Sequence, residues 1–378
     1  MDKSGIIQEH SKIKLELYRL YLERYLSVLL VTPFFEGIDV IDLFAGSGIS
    51  ENAEKGSAVI AAETIEAVSK NHNTHRKVIA LKLNDARTQY YESLQKHLSA
   101  YSFASPTNKD ANDYVKAWAP TPKHHHLFFI DPHGYTQIDA VNLTRLFTTQ
   151  NCDFLIFIPI FHIYRFIKPS NQPKAAEQDV DLFGERKKKP DGDKYYEPVA
   201  RFLEGLGIEK AAIEVTNSVE EFTDVIYTTL GKISGSGFVY CQILQNSSSA
   251  NKYALFFVSH HIRGAEKFLD AQHELRVKTN QASGQQSLFD FVSASNPDSL
   301  LNFLKYDEWY DNVQLFELAI NAGTRPAELR TQLLAYEKDG KLEVKELAGK
   351  KRNRGGLYLV FKHYNQKDRI VTVRLRRT

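Results

Sequence analysis

The chain has 378 residues, 43% of them hydrophobic and 25% charged, which describes a globular protein with a substantial core and excludes a disordered or fibrous one. Its length fits two or three domains. Forty-eight basic against 46 acidic residues leave a net charge of +2, an average that hides an uneven distribution. Two cysteines, Cys152 and Cys241, are too few for a disulfide framework or a Cys-rich zinc site. Neither a signal-peptide pattern nor an apolar run of about 18 residues occurs, so the expected setting is a reducing cytoplasm without membrane contact.

Residues 1–36 form an N-terminal helical segment, where Ile13, Leu17, Leu20 and Tyr21 share one face and predict a packing helix from about Ile6 to Leu30. From Gly37 short apolar runs alternate with helical stretches, the grammar of βα units around a parallel sheet. The predicted strands are Ile38–Phe44, Ala58–Ala62, Val78–Leu83, Leu127–Ile130 and Phe154–Ile158, with helices at Ile65–Asn71, Ala86–Leu98 and Ala140–Phe147. Residues 168–194 are charged and Pro-rich and read as an insertion. Helices at Tyr195–Leu206 and Val219–Leu230 then lead to an antiparallel hairpin, Gly237–Leu244 with Lys252–Val258. The expected fold class is α/β, a mostly parallel Rossmann-like sheet with an antiparallel terminal hairpin over residues 37–278. Beyond a linker at 279–298, residues 299–378 read as helix (Asn312–Asn321), turn, helix (Pro326–Asp339) and a hairpin of Lys341–Lys345 with Gly356–Phe361, the outline of a winged helix-turn-helix.

The chemistry gathers where strands are expected to end. Asp42 to Gly48, DLFAGSG, is an apolar strand that stops at an acid and passes through small residues, so the backbone of Phe44, Ala45, Gly46 and Gly48 can approach a ligand closely. Only Gly46 and Gly48 keep the dinucleotide spacing, and position 51 is Glu, whose charge opposes a pyrophosphate and favours a nucleoside. Glu63 would close the second predicted strand and hold ribose hydroxyls, or cap the helix after it. Asp85 closes the third, where it resembles the acid that class I methyltransferases place on the adenine amino group, or again serves as a cap. Asp131-Pro132-His133-Gly134-Tyr135 closes the fourth and resembles the D/N-P-P-Y/F tetrad of amino-methyltransferases acting on adenine, with His133 in place of the second proline and Gly134 inserted before the ring. The resemblance implies that Asp131 and a backbone carbonyl accept the hydrogens of a target amino group and that Tyr135 stacks on the base, with His133 a general base or a second stacking ring.

DLFAGSG resembles the S-adenosylmethionine (SAM) loop of class I methyltransferases, and five parallel strands with a terminal hairpin match their strand inventory. Together with GSAVIAAE, FFIDPHG and KYALFFVSHH in order, it resembles the three-Cys-motif partner protein (TcmP) family over roughly residues 10 to 345. That family's D-P-F-G is D-P-H-G here, with Asp131, Pro132 and Gly134 matching. The resemblance implies a class I SAM-dependent fold and a partner protein that carries a three-cysteine, radical-SAM-like motif absent from this chain.

The histidine groups (His72 and His75, His124 to His126, His260 and His261) lack carboxylates at a zinc spacing, so they read as solvated or helix-terminal and no metal site is expected. Cys152 and Cys241 read as buried structural thiols. Residues 345–378 carry eleven basic and two acidic residues, a net +9 that leaves −7 on the first 344. Lys350, Lys351, Arg352 and Arg354 in the predicted wing are candidate phosphate contacts. Gln285 to Phe289, QQSLF, is similar to the short peptide that binds the sliding clamp. The expectation is a SAM-dependent methyltransferase-like protein acting on DNA or RNA, on a base amino group. The alternatives are a non-catalytic nucleotide- or SAM-binding scaffold and a winged-helix nucleic-acid-binding protein.

Overall fold

The computed structural model describes residues 9–72, 77–132, 137–167, 192–235, 237–245, 252–283 and 303–376. In chain order the elements that build the sheet and its helices are α1 (Glu9–Val31), β1 (Gly37–Asp42), α2 (Ser57–His72), β2 (Val78–Asn84), α3 (Thr88–His97), β3 (Ala104–Thr107), α4 (Ala111–Ala117), β4 (His124–Ile130), α5 (Ala140–Phe147), β5 (Cys152–Ile158), α6 (Ile160–Ile167), α7 (Gly192–Gly205), α8 (Lys210–Glu214), α9 (Val219–Ser234), β6 (Phe238–Gln245), β7 (Lys252–Ser259) and α10 (Ile262–Ser283). The seven strands lie in the order β3-β2-β1-β4-β5-β7-β6, the first five parallel and β7 antiparallel to both its neighbours. This is a Rossmann-like, mostly parallel sheet that ends in an antiparallel hairpin. The strand order reverses between β1 and β4, which is where an open α/β sheet leaves a crevice beyond its carboxyl ends.

Helices cover both faces. Side chains alternate along each strand, so Phe129 joins Leu17, Tyr18, Tyr21, Ala61, Phe257 and Phe268 under α1, α2 and α10, while Phe128 joins Phe147, Phe154, Ile160 and Phe222 under α5, α6 and α9. A parallel strand buried on both faces reads as a continuous apolar run, and β4 and β5 are buried through almost every residue.

The C-terminal part comprises β8 (Trp309–Asp311), α11 (Asn312–Asn321), α12 (Pro326–Lys338), β9 (Leu342–Glu346), α13 (Phe361–Asn365) and β10 (Val371–Leu375), with an antiparallel sheet in the order β8-β10-β9. Asp311 caps α11 in a reciprocal box with Gln314, and Pro326 starts α12. Leu315, Leu329, Leu333, Leu357, Val371 and Val373 form its own core. It is docked on the larger part: Phe316 and Ile320 enter the core under α10, and the Tyr240 hydroxyl donates to the Ile320 carbonyl at 2.6 Å. Arg325 reaches Asp270, and His273 and Arg276 reach Glu328.

Three expectations are corrected. Ala58–Ala62 is not a strand but the first turns of α2, because the buried positions 58, 61, 62, 65 and 68 repeat with helical spacing in an Ala-rich run. The strand expected third is therefore second, and the third is the four-residue edge strand Ala104–Thr107, whose Pro106 is tolerated at an edge. Gly356–Phe361 forms no strand: Leu357 and Leu359 plug the small core, and the ladder partner of β9 is β10. The linker expected from Thr279 begins later, since α10 runs to Ser283. Most of the insertion and the Gln285–Phe289 peptide lie outside the described residues. No described helix is long and apolar enough to cross a membrane.

Candidate functional site

The glycine loop follows β1 at the reversal point. Gly46 (φ +65°) and Gly48 (φ +81°) take left-handed backbone that glycine adopts without cost. A Cβ placed on Gly46 would meet no heavy atom within 4 Å, so open space faces this residue. Asp42 is fully buried, accepting from the Phe44 amide at 3.1 Å and the Ser57 hydroxyl at 2.6 Å. Burial pushes its carboxyl up to about 7; the two hydrogen bonds act in the other direction, and the charges of Asp131 and Asp85 add to the rise. Three acids thus converge on one carboxyl edge, from the ends of β1, β2 and β4.

Asp85, nearly buried after β2, accepts from the Gly46 amide at 3.1 Å, the Arg87 amide at 2.9 Å and the Arg87 guanidinium on both oxygens at 3.0 Å. Arg87 also stacks on Tyr90. Asn84 beside it is wholly committed to structure, binding the Lys109 carbonyl and accepting from Thr107 and the Lys109 amide. Glu63 is displaced from the position expected for it: on α2, half-exposed, it pairs with Lys55 at 2.6 Å.

Asp131 follows β4 and is paired with Lys14 of α1. Lys14 is 5% exposed, and its ammonium lies 4.3 Å from the centre of the Phe157 ring. One turn on, Tyr18 stacks on Phe129 with ring centres 4.2 Å apart, its hydroxyl fully buried without a hydrogen-bond partner. Burial and then the charge of Asp42 push that phenol well above its ordinary range. Lys12 of the same helix pairs with Glu54 beyond the glycine loop. The sequence assigned α1 to packing alone; a lysine on the face marked by Ile13, Leu17 and Tyr21 was the available signal. Pro132 follows Asp131 directly, whereas His133 and Tyr135 lie outside the described residues.

The opposite end of the sheet holds a second polar cluster. The His124–His126 run is not solvated; it lies inside β4, with His125 and His126 buried. Asp39 of β1, 1% exposed, receives Lys82 at 2.7 Å and His124 at 3.1 Å, while His126 Nδ1 is 3.2 Å away but off hydrogen-bond alignment. Burial alone would raise Asp39, but His126, Lys82 and His124 outweigh it and hold the carboxyl below the usual range. Both cysteines are buried and free, their thiols pushed up by burial. Among the described residues no three His, Cys, Asp or Glu are grouped to hold a metal ion.

In the basic loop, Arg352 is locked by Glu337 at 2.6 and 2.7 Å and by the Gly356 carbonyl at 2.8 Å. Lys350 pairs with Asp368 at 3.0 Å. Lys351 and Arg354 are exposed.

No protein-family model and no curated protein sequence matches the chain. Solved structures do. Protein LPL1258 from Legionella pneumophila is 12% identical, with 73% of this chain and 93% of that one covered at a TM-score of 0.41. The O-methyltransferase TomG from Streptomyces achromogenes, solved with SAM, is 11% identical over 67% and 90%, TM-score 0.32. The precorrin-6y C5,15-methyltransferase from Geobacter metallireducens is 10% identical over 62% and 87%, TM-score 0.26. Such likenesses reach no further than the outline.

Proposed function

We propose that the chain is a SAM-dependent methyltransferase acting on a base amino group of nucleic acid. The observation that carries this reading is the meeting of the glycine loop with Asp42, Asp85 and Asp131 on the carboxyl edge at the strand reversal, with open space before Gly46. A nucleoside fits that edge. Gly46 admits its close approach, Gly48 lets the loop pack against Val59 and Leu94, and Asp85, as the acid after the second strand, takes the ribose role first given to Glu63. Both Asp85 oxygens carry the Arg87 guanidinium, so ribose hydroxyls reach them as that side chain, 39% exposed, swings outward. The donor supplies an electrophilic methyl group; the protein's task is placement, with Asp131 and the carbonyl of Pro132 accepting the hydrogens of the target amine.

The C-terminal part, which we read as a winged helix, is the proposed nucleic-acid contact, through exposed Lys351 and Arg354 rather than Arg352. Tandem work with a three-Cys-motif, radical-SAM-like partner and tethering to a sliding clamp through Gln285 to Phe289 remain proposals from sequence resemblance. Calorimetric titration with SAM, followed by mass spectrometry of nucleosides from DNA and RNA incubated with the protein and SAM, tests the reading. Micromolar binding with an amino-methylated base is expected; absence of binding at high micromolar SAM would sink it, and binding without transfer would favour the scaffold.

A further inference from the structure

Resting on the methyltransferase reading, we infer that Lys14 is the positioning residue of the acceptor site: from the buried side it holds one oxygen of Asp131 and leaves the other to receive an incoming amino group. The burial gradient sets the direction. The Lys14 side chain is 6% exposed and that of Asp131 24%, so the lysine is the buried partner and the carboxylate the more accessible one. Lys14 donates to Oδ2, and no described residue donates to Oδ1. An ammonium buried this deeply is held by its partner and by the ring of Phe157, which attracts a cation through its negative face.

The helix that carries Lys14 is fixed relative to both halves of the site. Tyr18, one turn later, is stacked on Phe129 of β4, two residues before Asp131, with its hydroxyl buried and unpartnered. Lys12, two residues earlier, holds Glu54 beyond the glycine loop. Helix α1 therefore sets the rotamer of the acceptor residue against a backbone that also fixes the donor loop. With Oδ2 taken, the incoming amine can place one hydrogen on Asp131 and the other on a backbone carbonyl. A planar amine with its second hydrogen blocked, such as a base already monomethylated on that nitrogen, then loses one of its two acceptors, so single methylation is the expected product.

The test uses the full chain with Lys14→Met, Lys14→Arg and Asp131→Asn. Lys14→Met is expected to lower kcat for base methylation by about tenfold or more, with KM for nucleic acid and Kd for SAM within about twofold, and Lys14→Arg to recover part of the loss. A kcat unchanged in Lys14→Met, or a loss confined to KM, overturns the inference. Thermal melting provides a readout that needs no activity. Asp131→Asn alone should lower Tm by several degrees because it strands a buried ammonium, and adding Lys14→Met should restore it. Additive losses in the double variant would show the two side chains uncoupled and overturn the inference too. Failure of the wild-type chain to bind SAM would instead remove the methyltransferase reading, with the melting cycle still deciding the pairing.

Discussion

The two ends of the central sheet both bury carboxylates, and they treat them in opposite ways. Near the amino end, Asp39 is surrounded by Lys82, His124 and His126, and its carboxyl is held low. At the carboxyl end, Asp42 lies near Asp85 and Asp131, and its carboxyl is held high. The first cluster gathers opposite charges and closes on itself. The second sets a carboxyl raised chiefly by burial near two further acids, each with its own cation, beside a glycine loop and open space, and it is there that the proposed site lies.

The contrast can be broken by substitution. Asp39→Asn leaves the half-buried Lys82 without its counter-charge and His124 without its carboxylate partner, and should lower unfolding free energy by about 1–3 kcal/mol in urea titrations; a loss well under about 1 kcal/mol would mean that the amino-end cluster is not charge-locked. Asp85→Ala should weaken SAM binding by tenfold or more on the order of one to two hydrogen bonds, while Arg87→Ala should leave calorimetric affinity equal or tighter. A large loss in Arg87→Ala would make the guanidinium a ligand contact instead of a cover.

Within the basic loop the expected effects are smaller and separable. Arg352→Ala should cost about 1–2 kcal/mol of stability by removing the Glu337 and Gly356 contacts. Alanine at Lys351 and Arg354 should leave stability unchanged and reduce the salt slope of nucleic-acid binding by about two. A further effect concerns pH. Because the raised carboxyl of Asp42 keeps in the native state a proton that the unfolded chain releases near 3.8, its contribution to stability declines as pH rises from there through about 7. Asp39, held low, contributes stability above the ordinary carboxyl range that is lost as pH falls below it. Asp42→Asn should therefore raise Tm more at pH 8 than at pH 5; equal Tm gains at both would refute the buried, like-charged setting.

The glycine loop, β4, β5, the β6–β7 hairpin and the α11–α12 pair were legible because each depends on local pattern: left-handed glycines, unbroken apolar runs, caps and a leading proline. Ala58–Ala62 misled because a short apolar run has no periodicity of its own, and only the buried positions out to Val68 show the helix. That misreading moved the Val78 strand by one place, while the unforeseen edge strand Ala104–Thr107 left the fourth and fifth strands in theirs, and it assigned Glu63 the role that we propose for Asp85. The partners of Lys14 and of Asp39 were not legible, since each lies more than 40 positions away; only the placement of Lys14 beside an apolar helix face hinted at a buried pair.

Helix α10 is gripped on two flanks. Arg24 and Glu16 of α1 hold its Glu274 and Lys278, while Arg325 at the start of α12 and Glu328 within it hold its Asp270, His273 and Arg276. It works as a shared keel. Cutting the chain before α11 would strip Tyr240, Asp270 and His273 of their partners and uncover the apolar seat of Phe316 and Ile320, so a truncated sheet domain is a damaged object rather than a simpler one. Single substitutions along the keel, which leave both flanks in place, are the cleaner way to ask what each part contributes.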